Sequence, residues 1–166
     1  MRLFIAINLS AEMKKALMSV KEQLIKSGVR GNFTKEENLH LTLAFIGEYD
    51  DIGAVLRAIR SVPFEPFSLS TDGLGSFGDL WWAGLKSQSG LRTYVEALRR
   101  ALGEAGIPFD SKRFSPHITL VRRASKNVLP AVSVPKVTMT ACRVSLMRSE
   151  RTPSGMVYTE IGYVNA

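Results

Sequence analysis

Two histidines are present in the whole chain, and both occupy the same short frame. His40 lies in "NLHLTLAFIG" (38–47) and His117 in "SPHITLVRRA" (115–124), so each is followed by an aliphatic residue, threonine and leucine. At ordinary composition a histidine meets that sequence by chance roughly once in a thousand. In an extended strand successive side chains alternate faces, so His40 shares a face with Thr42, and His117 with Thr119. Leu41, Leu43, Ile118 and Leu120 take the opposite faces. Residues two apart on a strand are separated by about 6.5–7 Å, close enough for one phosphoryl group to touch an imidazole and a hydroxyl. Two such strands side by side make a cradle with an imidazole on each flank. Imidazole, with an unperturbed pKa of about 6.5, can take a proton from an attacking water or give one to a leaving oxygen near neutral pH. Arg122, five positions after His117, adds a fixed positive charge for phosphoryl oxygens. Taken singly, each of these residues has an ordinary structural explanation; their convergence in a repeated frame points to catalysis or phosphate binding.

Other chemistries lack their parts. Two histidines and one cysteine are a poor set for zinc, which takes three or four protein ligands. No G-x-S-x-G nucleophile elbow and no G-x-G-x-x-G dinucleotide loop is present. The glycine-rich stretch "DGLGSFGD" (72–79) lacks the Lys-Ser/Thr of a phosphate-binding loop and is expected to be a turn between strands. No metal and no cofactor is expected.

The elements that must position the motifs recur at the same 77-residue offset. "LFIAIN" (3–8) falls on "LWWAGL" (80–85), placing Phe4 and Trp81 at equivalent strand positions, and "FSLS" (67–70) falls on "VSLM" (144–147). Each half carries one helical pattern between strand and motif: Met13, Leu17, Val20 and Leu24 in the first, Leu91, Val95, Leu98 and Leu102 in the second. Ser10 suits an N-cap and Gly28 a stop; Gly106 and Pro108 follow the second helix. A short helix is expected over 51–61 and strands over 65–71, 136–148 and 156–164, with a loop at 124–135 and a hairpin turn at "SGMV". The chain is thus expected to form one domain, 1–166, with an internal repeat of approximately 1–78 and 79–166.

Composition agrees with a soluble basic protein. The 166 residues are 45% hydrophobic, with a net charge of +7 that favours polyanionic partners. No stretch approaches the roughly 20 apolar residues of a membrane helix, and the opening apolar run is too short for a signal sequence. Cys142 has no partner for an internal disulfide, which suggests a reduced, cytoplasmic setting and a small buried side chain.

"HLTL" and "HITL" resemble the paired His-x-Thr-x motifs of the 2H phosphoesterases. "RLFIAINLS", "ENLHLTLAFIGE" and "FSPHITLVR" are similar to the RNA 2′,3′-cyclic phosphodiesterase branch, once named 2′-5′ RNA ligases. The resemblance implies an α+β, bilobal fold with pseudo-twofold duplicated lobes, two antiparallel sheets lining a central cleft and helices outside. It implies metal-independent opening of RNA 2′,3′-cyclic phosphate ends to 2′-phosphomonoesters, with His40 as proton donor and His117 as proton acceptor. Thr42, Thr119 and Arg122 would hold the phosphate. Partners would be RNA ends or nucleoside 2′,3′-cyclic phosphates, met by a monomer. Two alternatives stay open: 2′-5′ ligation with a sugar hydroxyl replacing water, and a nucleotide- or RNA-end-binding module without turnover. Phe4, Trp81 and Phe45 are candidates for base stacking or core packing, and Lys112, Arg113 and Arg123 for the path of the strand.

Overall fold

The computed structural model describes all residues, Met1–Ala166. Nine strands and three helices follow the order β1 (Arg2–Asn8), α1 (Ala11–Lys26), β2 (Asn32–Phe33), β3 (His40–Glu48), α2 (Ile52–Arg60), β4 (Phe67–Phe77), β5 (Leu80–Leu85), α3 (Ser89–Glu104), β6 (His117–Arg122), β7 (Thr138–Ala141), β8 (Arg143–Thr152) and β9 (Gly155–Asn165). A 3₁₀ turn, Glu36–Asn38, leads into β3. The strands form two sheets, ordered β3-β1-β8-β9 and β2-β6-β5-β4-β7, and every pairing is antiparallel. This is the expected α+β class.

The helices form where apolar periodicity and caps agree. In α1, Ser10 Oγ accepts from the Met13 amide at 3.2 Å, and Gly28 (φ 84°) supplies the left-handed turn beyond the end. Met13, Leu17, Val20 and Leu24 are buried, as are Leu91, Val95, Leu98 and Leu102 of α3. A core cluster of 35 residues takes members from both sheets and all three helices. Burying such side chains contributes roughly 1.5–3 kcal/mol each before the entropy of ordering is charged against it.

The two sheets do not coincide with the two halves of the sequence. β1 and β3 of the first half are joined by β8 and β9 of the second, while β5 and β6 are joined by β4 of the first half. The halves therefore exchange strands, β4 for β8. The motif strands lie where the sheets meet. β3 is the edge of one sheet, and β6 is covered on its outer side by only the two residues of β2.

Three expectations are corrected. The glycine-rich stretch 72–79 is strand as far as Phe77, and the turn is confined to Gly78–Asp79. Its glycines serve packing as well as turning: a Cβ on Gly75 would fall 2.1 Å from the Trp82 ring, which lies across it from β5. The expected strand 136–148 is divided at Cys142, because 138–141 pairs with β4 in one sheet and 143–152 with β1 in the other. The apolar alternation changes phase at the switch, from Val137, Met139 and Ala141 to Val144 and Leu146, which read as one strand only when Cys142 is taken as buried. Cys142 itself is exposed, its neighbours having turned from one sheet to the other.

Candidate active site

β3 and β6 bring both motifs to one cleft of about 910 Å³, lined by His40, Thr42, His117, Thr119 and Arg122 among others. The opposite faces are core: Leu41, Leu43, Ile118 and Leu120 are all at most 2% exposed. Alternation thus sorts polar from apolar residues as the motif pattern requires.

Strict alternation does not bring Arg122 there, because it lies an odd number of residues after His117 and Thr119. A β-bulge does. Across the β5–β6 pair, Trp82 faces Thr119 but Trp81 faces Val121, so β6 carries one extra residue and both Leu120 and Val121 turn inward. Arg122 then returns to the cleft face. β3 carries the counterpart: Ile5 faces Ala44 and Ala6 faces Thr42, Leu43 and Ala44 are both buried, and Phe45 returns to the cleft. Bulges re-aim side chains in this way beside functional sites. Arg122 is held further by Gly31, whose backbone presses so closely that a Cβ would fall 2.8 Å from the Arg122 carbonyl oxygen.

Each imidazole is oriented by the same local device. His40 Nδ1 lies 2.7 Å from the Asn38 carbonyl, and His117 Nδ1 lies 2.6 Å from that of Ser115. A carbonyl only accepts, so each Nδ1 carries a proton and Nε2 is left for chemistry. Asn38 is anchored in turn, its Nδ2 donating to the Met156 carbonyl at 3.0 Å.

The surroundings of the two rings differ. His40 Nε2 is 2.9 Å from Thr42 Oγ1, and its ring packs against Phe4 (4.9 Å) and edge-on to Tyr158 (5.2 Å). Burial holds its pKa below the usual 6.5; the Asn38 carbonyl opposes the shift, while the positive charges of Arg122 and His117 add to it. His117 makes no such bond to Thr119; it meets Phe77 edge-on at 5.1 Å and Trp82 at 6.0 Å.

The remaining candidates divide. Phe45 lines the cleft and is 49% exposed. Phe4 also lines it, in a small cluster with Ala6 and Met147, apart from the main core. Trp81 does not: it is 2% exposed within the core. Its supposed equivalence to Phe4 fails by one residue. Trp82 faces Thr119 as Ala6 faces Thr42, so β1 and β5 correspond at an offset of 76, and a slip of one places a side chain on the other face. Lys112, Arg113 and Arg123 are not among the residues lining the cleft; the Lys112 carbonyl accepts from Arg99, and Arg113 lines a separate hollow. Sequence reasoning missed Phe77, Trp82 and Tyr158. The adjacent tryptophans were the available signal, since on a strand one must face away from the other.

No group of three or more His, Cys, Asp or Glu side chains is gathered as a metal ion would require. No helix is long and apolar enough to cross a membrane.

Comparison with known proteins gives a consistent result. Residues 21–153 match the family model described as the 2′-5′ RNA ligase superfamily. An RNA 2′,3′-cyclic phosphodiesterase of Thermotoga maritima is 32% identical, over 95% of this chain and 91% of its own. Another, from Thermus thermophilus, is 34% identical over 96% and 87%. Among solved structures, apo LigT of Escherichia coli superposes with a TM-score of 0.84 at 27% identity, covering 99% of this chain and 96% of its own. LigT complexed with 3′-AMP gives 0.82 at the same identity and coverage.

Proposed function

The chain belongs to the 2′-5′ RNA ligase superfamily of 2H phosphoesterases, and from that membership and its cleft we propose that it hydrolyses 2′,3′-cyclic phosphate ends of RNA to 2′-phosphomonoesters. The observation that carries this is the convergence of every histidine in the chain, two threonines and an arginine on one cleft, with both Nδ1 atoms anchored on carbonyls. Relatives named RNA 2′,3′-cyclic phosphodiesterases support the substrate class, and the LigT complex with 3′-AMP supports a nucleotide in the cleft.

The reaction is in-line displacement at phosphorus. A water oxygen bonds to phosphorus as the bond from phosphorus to the 3′ oxygen breaks. His117 Nε2, which has no partner within the protein, accepts the water proton. His40, protonated, gives its Nε2 proton to the 3′ oxygen. Thr42 and Thr119 donate to the non-bridging oxygens, and Arg122 balances the charge that gathers on them. Proton exchange with solvent restores both imidazoles. The enzyme needs no metal and works as a monomer, since one chain supplies the whole cleft. Cytoplasmic residence suits its single exposed, unpaired thiol.

The test is turnover of a 2′,3′-cyclic phosphate substrate in the presence of chelator. His40→Ala and His117→Ala should each lower kcat by about 10²–10⁴. Full activity in either variant, or loss of wild-type activity in chelator, would contradict the mechanism.

A further inference from the structure

The cleft carries more positive charge than one phosphoryl group requires. Five arginines and glutamates besides Arg122 line it: Arg2, Arg148, Arg151, Glu48 and Glu150. Both carboxylates are already engaged, Glu48 with the Met1 amine at 2.9 Å and Glu150 with Arg148 at 2.6 Å. Arg2 and Arg151 have no carboxylate partner, and both are exposed.

Their places on the sheet make them a pair. Phe4 lines the cleft and Met147 pairs with it on β8, sharing its side of the sheet, and Arg2 is two residues from Phe4 on β1, so it shares that face. On β8, Ser149 and Arg151 follow Met147 at steps of two and share it also. Arg2 pairs directly with Ser149, which puts Arg151 at the diagonal position, within reach for long side chains. Thr42 pairs with Ala6, four residues from Arg2, a separation of about 13 Å along the strand. One phosphoryl group cannot touch both places. Phe4 and Phe45, which pair across β1 and β3, lie between them.

We propose that Arg2 and Arg151 form a second anion subsite, which takes a backbone phosphodiester on the 5′ side of the cyclic end, with a nucleoside over Phe4 and Phe45. The preferred substrate is then a single-stranded oligonucleotide rather than a free nucleoside cyclic phosphate. This rests on the function proposed above and selects among the substrates that it allows.

Three substrates test it: cytidine 2′,3′-cyclic phosphate, a tricytidylate ending in the same cyclic phosphate, and that trinucleotide with neutral methylphosphonate linkages. For the wild type, kcat/KM should be about tenfold or more higher for the charged trinucleotide than for the other two. In the double variant R2Q/R151Q that advantage should vanish, and its salt dependence should flatten by about one log unit per lost phosphate contact. Turnover of the mononucleotide, which does not reach these residues, should change less than about twofold and checks that the variant is folded. Equal kcat/KM for charged and neutral trinucleotides, or an equal loss on all substrates, would overturn the subsite. If no substrate is opened, the proposed reaction itself fails. Binding of the charged trinucleotide then decides the subsite alone: weaker binding in R2Q/R151Q upholds it, and unchanged binding overturns it.

Discussion

Two histidines in one sequence frame sit in unlike surroundings. His40 is wedged between Phe4 and Tyr158, whereas His117 meets the half-exposed edge formed by Phe77. Burial and the nearby charges of Arg122 and His117 favour neutral His40 in the free protein. In the proposed reaction a donor of lowered pKa would yield its proton more readily, and an anionic phosphate bound between the two rings would oppose the charges that depress it. The sign follows for folding as well. Between the native pKa and about 6.5 the unfolded chain binds a proton that the native chain does not, so this residue's contribution to stability falls as pH drops through that window. In an NMR titration of the free protein, the His40 ring should have its midpoint below 6.5. Arg122→Gln, which removes a positive neighbour, should raise it. A midpoint above 6.5, or no rise in the variant, would contradict the electrostatic link across the cleft. That His40, Thr42, His117 and Thr119 share one cleft was legible in sequence, because alternation along a strand makes the His-x-Thr frame meaningful. Their inequality was not. It depends on Tyr158, more than a hundred residues from His40 and on a strand that no local pattern connects to it.

At the scale of elements, two bulges matter most. They return Arg122 and Phe45 to the cleft after an odd number of residues. In sequence a bulge is two apolar residues in succession, Leu43-Ala44 and Leu120-Val121, which also reads as an ordinary buried strand. That is why Arg122 was reached by chemistry and resemblance, while strict alternation assigns it to the other face. The same ambiguity misaligned Phe4 with Trp81. On the second sheet, Trp82 reaches His117 by lying flat over Gly75 on β4. Gly75→Ala sets a methyl 2.1 Å from that ring. It should destabilise the protein by about 1–3 kcal/mol in denaturant unfolding and lower kcat as the ring shifts toward His117. Gly103→Ala on α3, where the added carbon meets nothing within 4 Å, should instead be neutral or stabilising by up to about 1 kcal/mol. A Gly75→Ala protein with wild-type stability and activity would show that Trp82 is not held as described.

For the whole molecule, the exchange of β4 and β8 between sheets ties the two halves of the chain into both lobes, and the cleft lies at the junction so formed. The helices, most strands and the motif faces were legible because caps and periodicity are local. The exchange was not, since strand pairing across some 140 residues, as between β1 and β8, leaves no mark in either segment alone. Its consequence is a cleft lined by strands of opposite sheets, with both histidines on its walls. The most direct measurement is ³¹P NMR of the product formed from cytidine 2′,3′-cyclic phosphate in ¹⁸O-enriched water with chelator present. The two-imidazole mechanism predicts a single product, the 2′-phosphomonoester, carrying one ¹⁸O on phosphorus. A 3′-phosphomonoester, a mixture of both, or unchanged substrate would contradict it.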